Sequence, residues 1–426
     1  MEQNSLTYQT YVAILKRELV PAMGCTEPIA VAYCAAKARA VLGCLPQRAE
    51  LTASGNIIKN VKSVIVPNTN GRRGLAAAAG IGMLAGDEML GLQVISQVPE
   101  EKKAQLGAYL DQTEISVRSA DSGHLLDIAV RVFSGAHEAC VRIADSHTNI
   151  ILISRDGEIL LDRRGDAPRQ PEPGAPDYGL LNMRDIYDFA QTAELSDVKE
   201  LLDRQMRLNR AISDEGLRGN YGANIGKVLL AEGGNTLRCR AKAAAAAGSD
   251  ARMNGCELPV VINSGSGNQG MTASLPVMEY ARGLGCSDEQ LYRALLISNL
   301  ATLHQKTGIG RLSAYCGAVS AGAGAGAGIA YLQGGGYEEI IHTVVNALAI
   351  TSGIVCDGAK SSCAAKIAMA VEAGIFGYEM YRHDQQFYGG DGIVASGVEN
   401  TIRNVGRLGR IGMSGTDREI ISIMTE

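Results

Sequence analysis

Apolar positions recur at helical spacing over residues 6–20 and again from Glu27 to Leu42, so two helices are expected to open the chain. From residue 47 the pattern changes to alternation. Segments such as AELTASGNIIK, KSVIVPN, TEISVRS, LLDIAVRVFSG, EACVRIAD and NIILISR carry apolar side chains at every second position, which predicts strands. An Ala/Gly-rich helix over 74–86 is expected to interrupt them. The run RRGDAPRQPEPGAPDYG (163–179) holds four of the eleven prolines and reads as a linker. From 182 onward the pattern is helical, with one short extended run near 258–263. The predicted fold class is α+β. N-terminal helices (1–46) are expected to pack on a largely helical domain (182–426), with an α+β sheet domain (47–170) inserted between them.

Composition sharpens this outline. The 426 residues are 46% hydrophobic but only 4% aromatic, with no Trp and 51 Gly. The small-residue runs at 241–248 and 317–330 therefore predict helices packed backbone against backbone. A net charge of −5 with no basic block argues against a nucleic-acid partner. The opening MEQNSLTYQT lacks the pattern of a signal peptide, and no run has the length of a membrane span. A soluble, cytoplasmic protein is expected, with a homodimer as its assembly.

The ten cysteines are harder to place, because a reducing compartment does not maintain disulfides. Cys34, Cys44, Cys140, Cys239, Cys256 and Cys286 read as small buried hydrophobes. Cys356 and Cys363 lie seven positions apart in IVCDGAKSSCAAK. A continuous helix would hold these thiols about 10 Å apart. Gly358 and the Ser361–Ser362 pair instead predict a curled loop ending at a helix N-cap, with Cys363 opening the helix. Cys316 also precedes a helix of very small residues. Three thiolates can hold an iron–sulfur cluster and leave one iron open as a Lewis acid. Zinc is less favoured because no CxxC pair occurs, and spacing alone leaves inert buried thiols as the alternative. Cys25 precedes Thr26, the expected N-cap, so the helix dipole there should lower its thiol pKa, partly opposed by Glu27. A proton-abstracting thiolate and a packed loop cysteine both fit that position.

NSGSGNQGMTASLPV contains a literal GxGxxG at Gly265, Gly267 and Gly270. Asp288 and Glu289, the acids at the expected distance, fall at a helix start, and no βαβ series surrounds the loop. A cradle for a carboxylate fits better than a dinucleotide site, with Ser264, Ser266, Asn268 and Gln269 as its polar contributors. His147 and Lys366 are weaker candidates, as ligand or base and as a neighbour of the thiols, and structural roles compete for both.

The tokens CTEPIA (25–30), SGSGNQG (264–270), RLSAYCGA (311–318) and CDGAKSSCAAK (356–366), in this order, resemble the L-cysteine desulfidase family. That family is itself similar to the catalytic chain of iron–sulfur L-serine dehydratases. SGNIIKN (54–60), HTNI (147–150) and SDARMNG (249–255) extend the likeness over nearly the whole chain. The resemblance implies a [4Fe–4S] cluster on Cys316, Cys356 and Cys363, with Cys25 as proton acceptor. It implies conversion of a small amino-acid substrate, L-cysteine, to pyruvate, ammonia and sulfide. The rival readings are the same elimination on L-serine and a non-catalytic amino-acid-binding protein. A shorter loop between the last two ligands and the lack of any cysteine after Cys363 favour the desulfidase branch.

Overall fold

A computed structural model describes residues 1–120, 122–164 and 175–425. Most of the expected linker (163–179) lies outside them. The fold is α+β, built around two hydrophobic cores. The first half of the chain forms the smaller one. Strands β2 (Arg48–Ala53), β3 (Glu114–Ser119), β4 (Asp127–Ser134), β5 (His137–Ala144), β6 (Ile150–Arg155) and β7 (Glu158–Asp162) make one sheet, ordered β3-β2-β4-β5-β6-β7. Only β2 and β3 run parallel. The crossover between them contains α3 (Gly55–Val61), α4 (Gly74–Ala85) and α5 (Glu100–Gln112).

Alternation buries Ile128, Val130 and Val132 of β4 and Val141 and Ile143 of β5 against α2 (Thr26–Leu42), which α4 covers in turn. The two N-terminal helices thus separate. α1 (Leu6–Glu18) packs in the helical core, where Tyr8 and Tyr11 meet Phe189 edge to face, whereas α2 lies in the core of the sheet rather than on the helical part as expected. Two predicted strand segments also turn out differently. In AELTASGNIIK the strand ends at Ala53, and Ser54 in extended geometry starts α3, whose Ile57 and Val61 are buried at helical spacing. KSVIVPN forms no ladder and makes only isolated bridges at Ile65. Helix α5 escaped the alternation reading, although Glu100 and Glu101 fill its first turn and Leu106 and Tyr109 share one buried face.

The larger core is helical. It contains α6 (Met183–Thr192), α7 (Lys199–Arg218), α9 (Leu237–Met253), α10 (Gly267–Leu284), α11 (Asp288–Ile309), α12 (Gly317–Leu332), α13 (Tyr337–Thr351), α14 (Cys363–Arg382) and α15 (Val398–Arg407), while α8 (Ile225–Gly233) packs on the outside of α9 and α16 (Ser414–Thr425) on α3. A two-stranded antiparallel ladder pairs β1 (Pro21–Met23) with β8 (Pro259–Val261). At the centre lies α12, surrounded by α10, α11, α13 and α14. Its glycines allow this crowding. A Cβ on Gly326 would come within 2.7 Å of the Gly374 Cα, and one on Gly322 within 2.3 Å of the Ala370 carbonyl oxygen. These contacts advance four residues at a time on both helices, so α12 and α14 run parallel with their N-termini side by side. Among the described residues no helix is long and apolar enough to cross a membrane.

Candidate active site

Cys316 and Cys356 are brought together by a short piece of antiparallel pairing. Tyr315 bridges Val355, the Cys316 N–H donates to the Ile354 carbonyl at 3.2 Å, and the Cys356 N–H donates to the Ala314 carbonyl at 2.6 Å. Cys316 therefore stands opposite Ile354 and diagonal to Cys356, with both side chains on one face. Diagonal neighbours of this kind lie about 7–8 Å apart. The chain then turns at Gly358 (φ +94°), where a Cβ would sit 2.3 Å from the Lys59 carbonyl oxygen, and reaches Cys363 at the start of α14. The Cys363 Sγ is 3.6 Å from the Gly358 carbonyl oxygen. Lys366, suggested as a neighbour of the thiols, ties the loop by donating to the Val355 carbonyl at 2.8 Å and pairing with Asp357.

One cavity of about 100 Å³ is lined by Cys25, Cys316, Cys356 and Cys363 together with Ser266, Asn268 and Gln269. Four helices begin at its wall: α2 after Cys25, α10 after Ser266, α12 after Cys316, and α14 at Cys363. Their positive ends and free N–H groups favour negative charge inside it. Burial, reinforced by Cys356, pushes Cys316 up to about 12, and burial likewise raises Cys363.

Cys25, not Thr26, caps α2, and Thr26 is the first helical residue. The thiol donates to Glu27 Oε2 at 3.0 Å. Burial and the Glu27 carboxylate raise its pKa well above the ordinary thiol value, while Arg252 pulls the other way. Desolvation and a carboxylate thus outweigh the helix dipole that the sequence pointed to. Burial also works against ionisation of Glu27, but the His147 imidazole and the Cys25 thiol outweigh it and hold the acid down at about 2. His147 arrives from the β5–β6 connection, its Nε2 3.9 Å from Glu27 Oε1, and Asn60 Nδ2 donates to the same oxygen at 3.3 Å. Thr26 Oγ1 donates to the Gly265 carbonyl at 2.9 Å, tying this network to the glycine loop.

The loop itself divides. Ser264, at φ +50°, lines a neighbouring cavity of about 300 Å³ with Glu18, Tyr178, Lys306 and Arg311, and is absent from the wall beside the cysteines. Lys306 borders both cavities, and burial lowers its pKa to about 8. Among the described residues no dinucleotide fold surrounds the loop, because β8 pairs there only with β1, antiparallel. Sequence reasoning passed over Arg252, which lines the cysteine cavity and is only 1% exposed. A lone arginine in the small-residue run KAAAAAGSDARMNG was its available signal. Of the six cysteines read as buried hydrophobes, Cys34, Cys239 and Cys256 are buried, Cys140 and Cys286 half-buried, and Cys44 exposed.

Among the described residues no three His, Cys, Asp or Glu side chains form a ready site for a single metal ion. A cluster makes a different demand, since its cysteines bind separate irons and need not converge on one point. Three thiols on one wall and four helix N-termini fit an anionic iron–thiolate group. Comparison with known proteins points the same way, because residues 89–422 match the family described as serine dehydratase alpha chain. The chain belongs to the serine dehydratase alpha chain family. Full-length relatives carry the name UPF0597 protein. One from Desulfitobacterium hafniense (strain Y51) is 59% identical over 424 residues, 100% of this chain and 98% of the relative. One from Lachnoclostridium phytofermentans is 48% identical, covering 98% and 99%. One from Finegoldia magna is 46% identical, covering 98% and 100%. The stretch matching the serine dehydratase alpha chain family includes Arg252, the glycine loop and the three cysteines, whereas Cys25, Glu27 and Asn60 precede it.

Proposed function

We propose that this member of the serine dehydratase alpha chain family is an L-cysteine desulfidase, a lyase that converts L-cysteine and water to pyruvate, ammonia and hydrogen sulfide. The observation that carries this reading is the single cavity shared by Cys316, Cys356, Cys363 and Cys25. A [4Fe–4S] cluster held by Cys316, Cys356 and Cys363 would supply a Lewis acid through the iron left without a cysteine.

The chain's own residues handle the proton. Cys25 takes it from the substrate Cα as a thiolate; its own thiol proton, hydrogen-bonded to Glu27 at 3.0 Å, leaves for solvent as the site loads, because a carboxylate held at about 2 does not keep it. The electron pair left on Cα forms the double bond to Cβ as the β-sulfur departs, and the aminoacrylate hydrolyses in water. Ser266 and Gln269 contact the substrate from the start of α10, Asn268 lines the same wall with its Oδ1 already accepting from Arg252, and Ser264 opens on the adjoining cavity. Positioned bases supply only about 10²–10⁴-fold, so the electrophilic centre is an essential part of this scheme.

The test is to reconstitute the protein anaerobically with iron and sulfide and to follow pyruvate from L-cysteine and from L-serine. The expected protein is brown, holds about four irons per chain, and releases pyruvate faster from cysteine. It loses colour on Cys316→Ala, Cys356→Ala or Cys363→Ala but not on Cys34→Ala. Faster turnover of serine would transfer the reading to a serine dehydratase. A colourless protein carrying stoichiometric zinc would overturn the ligand set.

A further inference from the structure

Arg252 is the most conspicuous unused group in the molecule. It ends α9, is 1% exposed, and has no carboxylate within ion-pair distance among the described residues. Only Nη1 has a partner, donating to Asn268 Oδ1 at 3.1 Å. Nε and Nη2 are buried with no hydrogen-bond acceptor. A buried, unpaired guanidinium is costly, and proteins that keep one normally supply it with an anion. Every other part of its surroundings is fitted to it. A Cβ on Gly267 would lie 2.4 Å from Arg252 Nε, so the glycine provides the space for the guanidinium. The neighbouring Gln269 also has its Oε1 buried and unpartnered. Both side chains line the cavity that holds the cysteines.

We propose that Arg252 is the receptor for the substrate's α-carboxylate, with Asn268 as the positioning residue that holds the guanidinium in place. The glycines of the 264–270 loop then serve to admit an arginine side chain, and the carboxylate is held by a charge-assisted fork in addition to any loop amides. The unpartnered Gln269 Oε1 is an acceptor for the α-ammonium of the same ligand. The assignment rests on the lyase reading for the choice of amino acid. The ligand class it names, an α-amino acid with a free carboxylate, is testable without turnover.

L-Alanine, which has no leaving group, serves as the probe on the full-length protein, with L-alaninamide as its neutral control. Calorimetric titration should give binding of L-alanine and binding at least ~10²-fold weaker of alaninamide, the loss expected for charge-assisted bonds. Arg252→Gln should lose that preference, and Arg252→Lys should keep part of it. Asn268→Asp should weaken alanine binding more than Asn268→Ala, because the new carboxylate occupies the guanidinium. Without ligand, Arg252→Met should melt no lower than the parent, since an unpaired charge has been removed. In the reconstituted enzyme Arg252→Gln should raise KM for L-cysteine by about 10²-fold or more. If the parent binds alaninamide as tightly as alanine, or if Arg252→Gln keeps the parent's KM and preference, the assignment is wrong even where the lyase reading survives. If alanine binds through Arg252 but neither cysteine nor serine is turned over, the lyase reading fails and the carboxylate site stands.

Discussion

At Cys25 two electrostatic effects compete, and burial decides between them. The N-terminus of α2 favours a thiolate, but a site closed to water and a carboxylate 3.0 Å away favour the thiol. The resting residue is therefore a thiol that donates a hydrogen bond to Glu27, and it becomes a base only when its proton has left the site. This separates the base from a cluster ligand. Cys25→Ser should retain iron and colour but lose most turnover, because a hydroxyl is a far weaker acid than a thiol. Deuterium exchange from solvent into Cα of bound cysteine should fall in parallel. Loss of iron in Cys25→Ser would instead make Cys25 a ligand and move the search for the base to His147, beside Glu27.

At the scale of elements, the relative placement of Cys316 and Cys363 depends on how closely α12 and α14 pack. Each cysteine stands at the N-terminus of its helix, and the helices touch through Gly322, Gly326, Ala370 and Gly374. A side chain at this seam has nowhere to go, since a Cβ on Gly374 would sit 2.3 Å from the Gly322 carbonyl oxygen. Gly374→Val should therefore lower stability by at least the ~1–3 kcal/mol typical of overpacking. It should also reduce the iron retained after reconstitution, although no cluster residue has been changed. Denaturant unfolding and iron analysis on one preparation check both. Full iron content with reduced stability would mean that the thiol loops adjust independently of their helices.

At the scale of the whole molecule, chain ends distant in sequence are joined behind the cysteine loop. Lys59 of α3, 1% exposed, pairs with Asp417 of α16 and lies 3.5 Å from the Cys356 carbonyl oxygen. A Cβ on Gly55 would strike Ile421 of the same terminal helix. Asp417→Asn leaves the lysine charge buried without its partner, a change that typically costs about 3–5 kcal/mol. Restoring an apolar pair through Lys59→Met with Asp417→Leu should recover much of that loss. Urea midpoints of the parent and the two variants provide the measurement, and an unchanged midpoint in Asp417→Asn would show that water reaches the pair.

Local pattern was enough for the elements whose burial repeats with a short period. The alternation in LLDIAVRVFSG and EACVRIAD became β4 and β5, and the small residues of 317–330 became the packed helix α12. The turn at Gly358 and the helix start at Cys363 were legible for the same reason, although Ser362 makes no side-chain cap bond and Ser361 donates to Asn254 instead. Local pattern misread NIIK, where a serine start and helical burial prevail over alternation, and KSVIVPN, which finds no strand to pair with. Only tertiary structure could set the ionisation of Cys25, since that depends on water exclusion and on Arg252 and His147 arriving from remote segments. It alone sent Ser264 to a second cavity while Ser266, Asn268 and Gln269 faced the first, because a left-handed turn at Ser264 and Gly265 reverses the chain. It alone isolated Arg252: a sequence shows that an arginine is present, but whether its charge meets a carboxylate, water or an empty cavity is decided by what folds around it.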